Sequence, residues 1–118
     1  MQKHERLEED SKIALSQIIS YEVKHPDVTG LISVTRVQIT PDQKYAKVFV
    51  SIFNNDNKKK VLSALQTSGN FIRYELGQKV KMRNVPKLTF ALDDSIEYGA
   101  YMNRVIQELK DKENSKEN

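Results

Sequence analysis

Leu62, Leu65, Gly69, Ile72, Leu76 and Val80 recur at helical spacing, so one apolar stripe passes straight through Ser68-Gly69-Asn70. The spacing predicts a helical pair from about Lys58 to Lys81, interrupted at those three residues. A Gly inside a helix costs roughly 1 kcal/mol relative to Ala. A stripe that accepts this cost points to a bend or a bare patch of backbone. An ordinary turn between two short helices fits the position as well. Asn70 tolerates positive φ, so a left-handed residue is expected at Gly69 or Asn70.

The remaining periodicities place this pair in a small α+β domain. Leu7, Ala14, Leu15, Ile18 and Tyr21 line one side of a helix predicted from about Glu5 to Val23. Lys24-His25-Pro26 ends it, because the residue before Pro avoids helical geometry. Leu31 to Ile39 is rich in β-branched residues and reads as a strand. Its apolar phase switches near Thr35-Arg36, which predicts a bulge or burial on both faces. Thr40-Pro41-Asp42-Gln43-Lys44 supplies turn chemistry. In the strand Tyr45–Phe53, Ala46, Val48, Val50 and Ile52 face one way, and the two strands form an expected hairpin. Tyr45, Phe49 and Phe53 share the other phase. An RNA-stacking platform is one reading of them, but burial beneath a helix is the expectation, because a small sheet needs one covered face. A core position is expected for Phe71 and Phe90. The loop Asn54-Asn55-Asp56-Asn57 is placed to cap the helical pair. Leu88, Phe90 and Leu92 alternate as a third strand, and Asp93-Asp94-Ser95 reads as the N-cap of a last helix, Ile96 to about Leu109. One domain over residues 1–109 and a disordered charged tail over 110–118 are expected.

Charge distribution carries the functional signal. Between Asn57 and Phe90 stand Lys58, Lys59, Lys60, Arg73, Lys79, Lys81, Arg83 and Lys87, with Glu75 as the sole acid, in a chain whose net charge is only +3. A merely solvated surface usually mixes both signs. A one-signed segment attracts phosphates. On a helical wheel Asn70, Arg73, Tyr74, Gly77, Gln78 and Lys81 share one broad face flanking the stripe. Arg binds phosphate through two N–H groups, and Tyr stacks on an unpaired base. Gly77 is read as continuing the helix, because Leu76 and Val80 keep the spacing. A Lys run at a helix start opposes the helix dipole, which favours binding over structure for Lys58-Lys59-Lys60.

Other chemistries find little support. The absence of Cys removes disulfides, thiolate metal sites and thiol nucleophiles. No apolar run approaches the roughly 20 residues that span a bilayer, and a soluble cytoplasmic protein is expected. Asp93, Asp94 and Glu97 would suit a metal-dependent nuclease, but helix capping explains them more simply. His4 and His25 lack ligand spacing. No cofactor, metal or enzymatic activity is expected.

Helix, strand, strand, helix–break–helix, strand, helix is the element order of the type II KH arrangement. The chain resembles the ribosome-binding factor A family over roughly Arg6 to Leu109. The resemblance is carried by Tyr45-Ala46-Lys47-Val48-Phe49-Val50-Ser51, Ala64-Leu65-Gln66, Phe71-Ile72-Arg73, Glu75-Leu76-Gly77, Met82-Arg83-Asn84-Val85-Pro86-Lys87-Leu88 and Asp94-Ser95-Ile96-Glu97-Tyr98-Gly99. That family usually has Ala, any residue and Gly at the break; here Ser68, Gly69 and Asn70 stand there. The resemblance implies a KH-like fold and a non-catalytic factor that binds the immature small ribosomal subunit and its rRNA. It further implies late maturation at the rRNA 5′ end, a link to cold adaptation, and release with help from an assembly GTPase. A monomer is expected. The residues expected to meet RNA are Lys58, Lys59, Lys60, Arg73, Tyr74, Lys81, Arg83 and Lys87. A generic single-strand KH reader is the alternative, but its G-x-x-G clamp is missing.

Overall fold

Tyr45–Phe53 is the best-alternating segment of the chain, and it forms the middle of the sheet. The computed structural model describes residues 3–53, 55–93 and 103–110. Its elements are α1 (Lys3–Tyr21), β1 (Leu31–Ile39), β2 (Tyr45–Phe53), α2 (Lys58–Thr67), α3 (Gly69–Lys79) and β3 (Lys87–Leu92). A further helical segment covers 103–110. The strand order is β1-β2-β3, with β1 antiparallel and β3 parallel to β2. This is the expected α+β order with a mixed sheet. The predicted capping group Asp94-Ser95, the first part of the last helix and the tail 111–118 lie outside the described residues.

All three main helices pack on one face. α1 lies against β1, α2 and α3 lie against β3, and α1 meets α3. Leu15, Ile18, Val48, Val50, Ile52, Leu65, Ile72 and Leu76 are almost completely shielded from solvent. Each such side chain stabilises the fold by about 1.5–3 kcal/mol relative to exposure. The phase switch in β1 is a bulge: Val34 pairs with Val50 and Arg36 with Phe49, so Thr35 is the extra residue. Its hydroxyl donates to the Asp93 carboxylate just beyond β3.

Side chains satisfy part of each sheet edge. On β1, the Ile39 N–H donates to Glu8 Oε2 at 2.7 Å, and His4 Nε2 lies 2.7 Å from the Ile39 carbonyl oxygen. On β3, the Gln66 amide donates to the Leu88 carbonyl and accepts from the Phe90 N–H, both at 3.1 Å. An open strand edge invites pairing with other chains, and these contacts occupy the end of β1 and the middle of β3.

Three expectations about burial need correction. Tyr21 is 83 % exposed, because α1 turns Ser11, Ile18 and Ile19 inward and ends at Tyr21. Tyr45 is 60 % exposed and Phe49 and Phe53 are half-buried, because α1, α2 and α3 pack on the opposite face of the sheet. Phe71 is 44 % exposed, since the stripe turned inward on α3 is Gly69, Ile72 and Leu76. Phe90 is buried as expected.

Candidate nucleic-acid interface

The break between α2 and α3 is a single residue. Ser68 has φ −82° and ψ 4°, and the helix resumes at Gly69. Its N–H still donates to the Ala64 carbonyl, and its own carbonyl accepts from the Ile72 N–H, both at 3.0 Å. The backbone ladder therefore passes through the break. The expected left-handed residue is not there: among the described residues positive φ occurs only at Gln43 and Gly30. The break is accommodated by Ser68 in the bridge region, and Gly69 and Asn70 keep right-handed geometry. Nor does Gly69 need a bare backbone, since a Cβ there would find ordinary contact, 3.7 Å from Gln66 Nε2.

The glycine that matters sterically is Gly77. A Cβ there would stand 2.9 Å from Val85 Cγ2. The loop that follows α3 thus lies directly on the helix backbone. Arg73 reinforces the contact: its Nε and Nη2 donate to the Val85 carbonyl at 3.0 and 2.8 Å. On its other side the loop is held by the β1–β2 turn. The Gln43 side-chain oxygen accepts from the Arg83 N–H at 2.9 Å, and Asn84 Nδ2 donates to the Asp42 carbonyl at 3.1 Å. The turn itself is built from Thr40, whose hydroxyl donates to Asp42 at 2.6 Å, and from the Lys44 N–H, which donates to the same carboxylate oxygen at 3.0 Å. These two hydrogen bonds, the Thr40 one foremost, hold the Asp42 carboxyl below the ordinary carboxylate range.

Between α3 and this loop runs a shallow groove of about 420 Å³, lined by Asn70, Arg73, Tyr74, Gly77, Gln78 and Val85. Five of these are residues that the helical wheel places together. Tyr74 is 64 % exposed and presents its ring to solvent. Asn70 and Gln78 offer amide donors and acceptors. Arg73 has five N–H groups and commits two of them to Val85, which leaves donors for a phosphate or a base edge.

The other basic residues fall around this groove and not within it. The helical wheel puts Lys81 on the same face, but α3 ends at Lys79 and Val80 is extended. Lys81 therefore lines a separate hollow with Leu7, Asp10 and Ile13 of α1. Arg83 is exposed on the pinned loop, and Lys87 stands at the start of β3, opposite Tyr45. Lys58, Lys59 and Lys60 open α2, where the Asn57 side chain accepts from the Lys60 N–H as the expected N-cap. Lys58 and Lys59 form no ion pair among the described residues, whereas Lys60 Nζ lies 3.6 Å from Asp27. Lys79 pairs with Glu22 at 3.1 Å. The acids missing from the basic segment in sequence are thus partly returned to it in space from the end of α1 and the loop after it.

Sequence reasoning missed one feature. Beside the break, Ser68 and Phe71 face Val23 to Pro26 across a hollow of about 530 Å³. Its only signal in the sequence is the off-stripe position of Phe71. Among the described residues no group of His, Asp and Glu is arranged to hold a metal ion, and no helix is long and apolar enough to cross a membrane.

The model of the family described as ribosome-binding factor A matches residues 3–106. The chain is 45 % identical over 108 residues to the ribosome-binding factor A of Clostridium novyi (strain NT), covering 91 % of this chain and 89 % of that protein. Its fold is similar to the crystal structure of ribosome-binding factor A from Thermus thermophilus, with a TM-score of 0.69 at 26 % identity over 77 % of this chain and 97 % of that one. It is also similar to a Thermus thermophilus homology model fitted into the cryo-electron microscopy map of a 30S–RbfA complex, with a TM-score of 0.60 at 28 % identity, covering 73 % and 90 % of the two chains. With the family match spanning α1 through β3 and on into the 103–110 segment, this chain belongs to the ribosome-binding factor A family.

Proposed function

We propose that this chain binds the immature small (30S) ribosomal subunit and promotes late maturation, including 5′-end processing of its (16S) rRNA. It acts without catalysis, in the cytoplasm, and most critically in the cold. Docking uses the α3 groove together with the cations around it: Lys58, Lys59 and Lys60 at the start of α2, Arg73 and Tyr74 on α3, and Lys81, Arg83 and Lys87 beyond it. The observation that carries this reading is the preformed groove of Asn70, Arg73, Tyr74, Gly77 and Gln78, with Arg83 held on its pinned rim, in a chain of a family with a 30S–RbfA complex among its similar structures. A rigid, basic, shallow surface suits a folded RNA better than a short strand that needs clamping. Release by an assembly GTPase completes the proposed cycle.

Sucrose-gradient sedimentation of extract tests the reading. The protein should travel with small-subunit particles and leave them as salt rises. Cells lacking it should accumulate 5′-extended small-subunit rRNA at low temperature. Migration apart from both mature and immature subunits at low salt would overturn the proposal.

A further inference from the structure

We propose that the outer face of the sheet is a second RNA-binding surface, which takes unpaired bases onto Tyr45 and the Arg36–Phe49 pair. This surface lies on the side of the sheet away from α1, α2 and α3. It goes beyond the α3 docking surface and shares only Lys87 with it, at the start of β3; Tyr45, Lys47, Arg36 and Phe49 belong to the outer face alone.

Register and alternation define the face. Ala46, Val48 and Val50 point to the side of α1, α2 and α3, so Tyr45, Lys47 and Phe49 point away from it. Their cross-strand neighbours on the same face are Lys87 beside Tyr45, Gln38 and Thr89 beside Lys47, and Arg36 and Ala91 beside Phe49. Three cations and two aromatic rings thus share three adjacent rows. No acid occupies an outward position within the three strands; Asp93 stands just beyond β3 and is tied to Thr35. The Arg36 guanidinium carbon lies 4.3 Å from the Phe49 ring centroid, and Lys47 Nζ lies 5.1 Å from it.

This arrangement is chemically specific. A solvent-facing sheet needs polar residues but has no need of an uncovered Tyr. The Phe49 ring holds Arg36 in place, so the outer side of an exposed guanidinium is preorganised for stacking. Bases stack on guanidinium planes and on tyrosine rings alike, with little sequence preference. Beside Tyr45 and Lys47 the face forms a hollow of about 410 Å³, reaching Gln38, Thr40 and Thr89, which gives a base edge polar partners. Lys47 and Lys87 flank the hollow and supply charge for the backbone. Charge complementarity and stacking together fit a single-stranded polyanion with aromatic rings.

The test uses the full chain and fluorescein-labelled dodecauridylate, followed by anisotropy. The unmodified protein should bind it at low salt. Tyr45→Ala should weaken binding roughly 5- to 150-fold, while Tyr45→Phe restores most of it. Lys47→Gln and Lys87→Gln should each reduce the dependence of log affinity on log salt by about 0.7. The chain has no Trp, so a Tyr45→Trp variant provides a lone indole whose fluorescence a stacked base should quench. No binding by the unmodified protein, full affinity in Tyr45→Ala, or equal competition by polyglutamate would each overturn the inference. Loss of subunit binding in α3 variants bears on the docking proposal alone.

Discussion

Gly77 and Val85 lie so close that a single methyl group on the glycine would stand 2.9 Å from the valine's Cγ2. The helix that carries the groove and the loop that carries Arg83 are therefore packed backbone against side chain. Arg73, one turn earlier on α3, grips the Val85 carbonyl from above the same contact. The candidate interface owes its shape to this junction.

Gly77→Ala is expected to destabilise the protein by about 1–3 kcal/mol, because the added methyl forces the loop outward. Val85→Ala in that background should recover part of the loss. Gly69→Ala should do the opposite, raising stability by roughly 0.5–1 kcal/mol, since its φ is not left-handed and its Cβ would meet only ordinary contact. Thermal unfolding of the three variants decides it. A stable Gly77→Ala protein would show that the loop does not rest on α3.

Arg73→Ala is expected to cost about 1 kcal/mol, the scale of an exposed charge-assisted hydrogen bond to a carbonyl. Arg73→Lys keeps the charge but not the two-pronged donor geometry, so it should recover little of the lost stability. Urea midpoints measure this, and subunit sedimentation of the same proteins measures binding. Stability identical to the parent in Arg73→Ala would leave Arg73 free for RNA alone.

Gln66→Leu removes both bonds that occupy the middle of the β3 edge and leaves the Leu88 carbonyl and Phe90 N–H without them. A loss of about 1–3 kcal/mol is expected. The opened edge should also promote concentration-dependent self-association, read by sedimentation velocity. A variant that stays monomeric as concentration rises would show that α2 covers the edge without help from Gln66.

Gln43 adopts φ 61° while its side chain accepts from the Arg83 N–H. Gln43→Ala keeps the left-handed backbone and loses the clip, so it should destabilise by about 1 kcal/mol. Gln43→Gly loses the clip but relieves the backbone, and should be the more stable of the two by roughly 1 kcal/mol. The reverse order in chemical denaturation would refute this account of the turn.

The Asp42 carboxyl should titrate below the ordinary carboxylate range when followed by carbon-detected nuclear magnetic resonance. Its folded pKa is depressed, so its stabilising contribution is present above the unfolded pKa and fades as pH falls through the folded one. Thr40→Val removes the hydroxyl donor and should return the titration toward the ordinary range. A titration unchanged by Thr40→Val would mean that the Lys44 N–H alone holds the carboxylate.

Much of the architecture is legible in the chain because burial follows periodicity. The alternation of Ala46, Val48, Val50 and Ile52 marks the inner face of β2, and the phase switch at Thr35 marks the bulge. The stripe Leu65, Gly69, Ile72 and Leu76 locates the helix pair through its break. Five of the residues lining the α3 groove share a face on a helical wheel. Tyr45 and Phe71 are misplaced by such reasoning for a common reason: hydrophobicity reports what a residue tolerates, and only the packing decides which apolar face is covered.

Residue order alone carries the α+β succession, the break at Ser68, the basic bias of residues 57–90 and the family. Only the folded chain shows that β3 runs parallel to β2, that Gln66 occupies the middle of its edge, and that Gly77 rather than Gly69 is the glycine without room for a side chain. Folding also moves Lys81 off the groove and brings Asp27 and Glu22 onto Lys60 and Lys79. The difference is one of range. Propensity and periodicity act over a few neighbouring residues, whereas these contacts join segments that meet only after the chain has closed around its core.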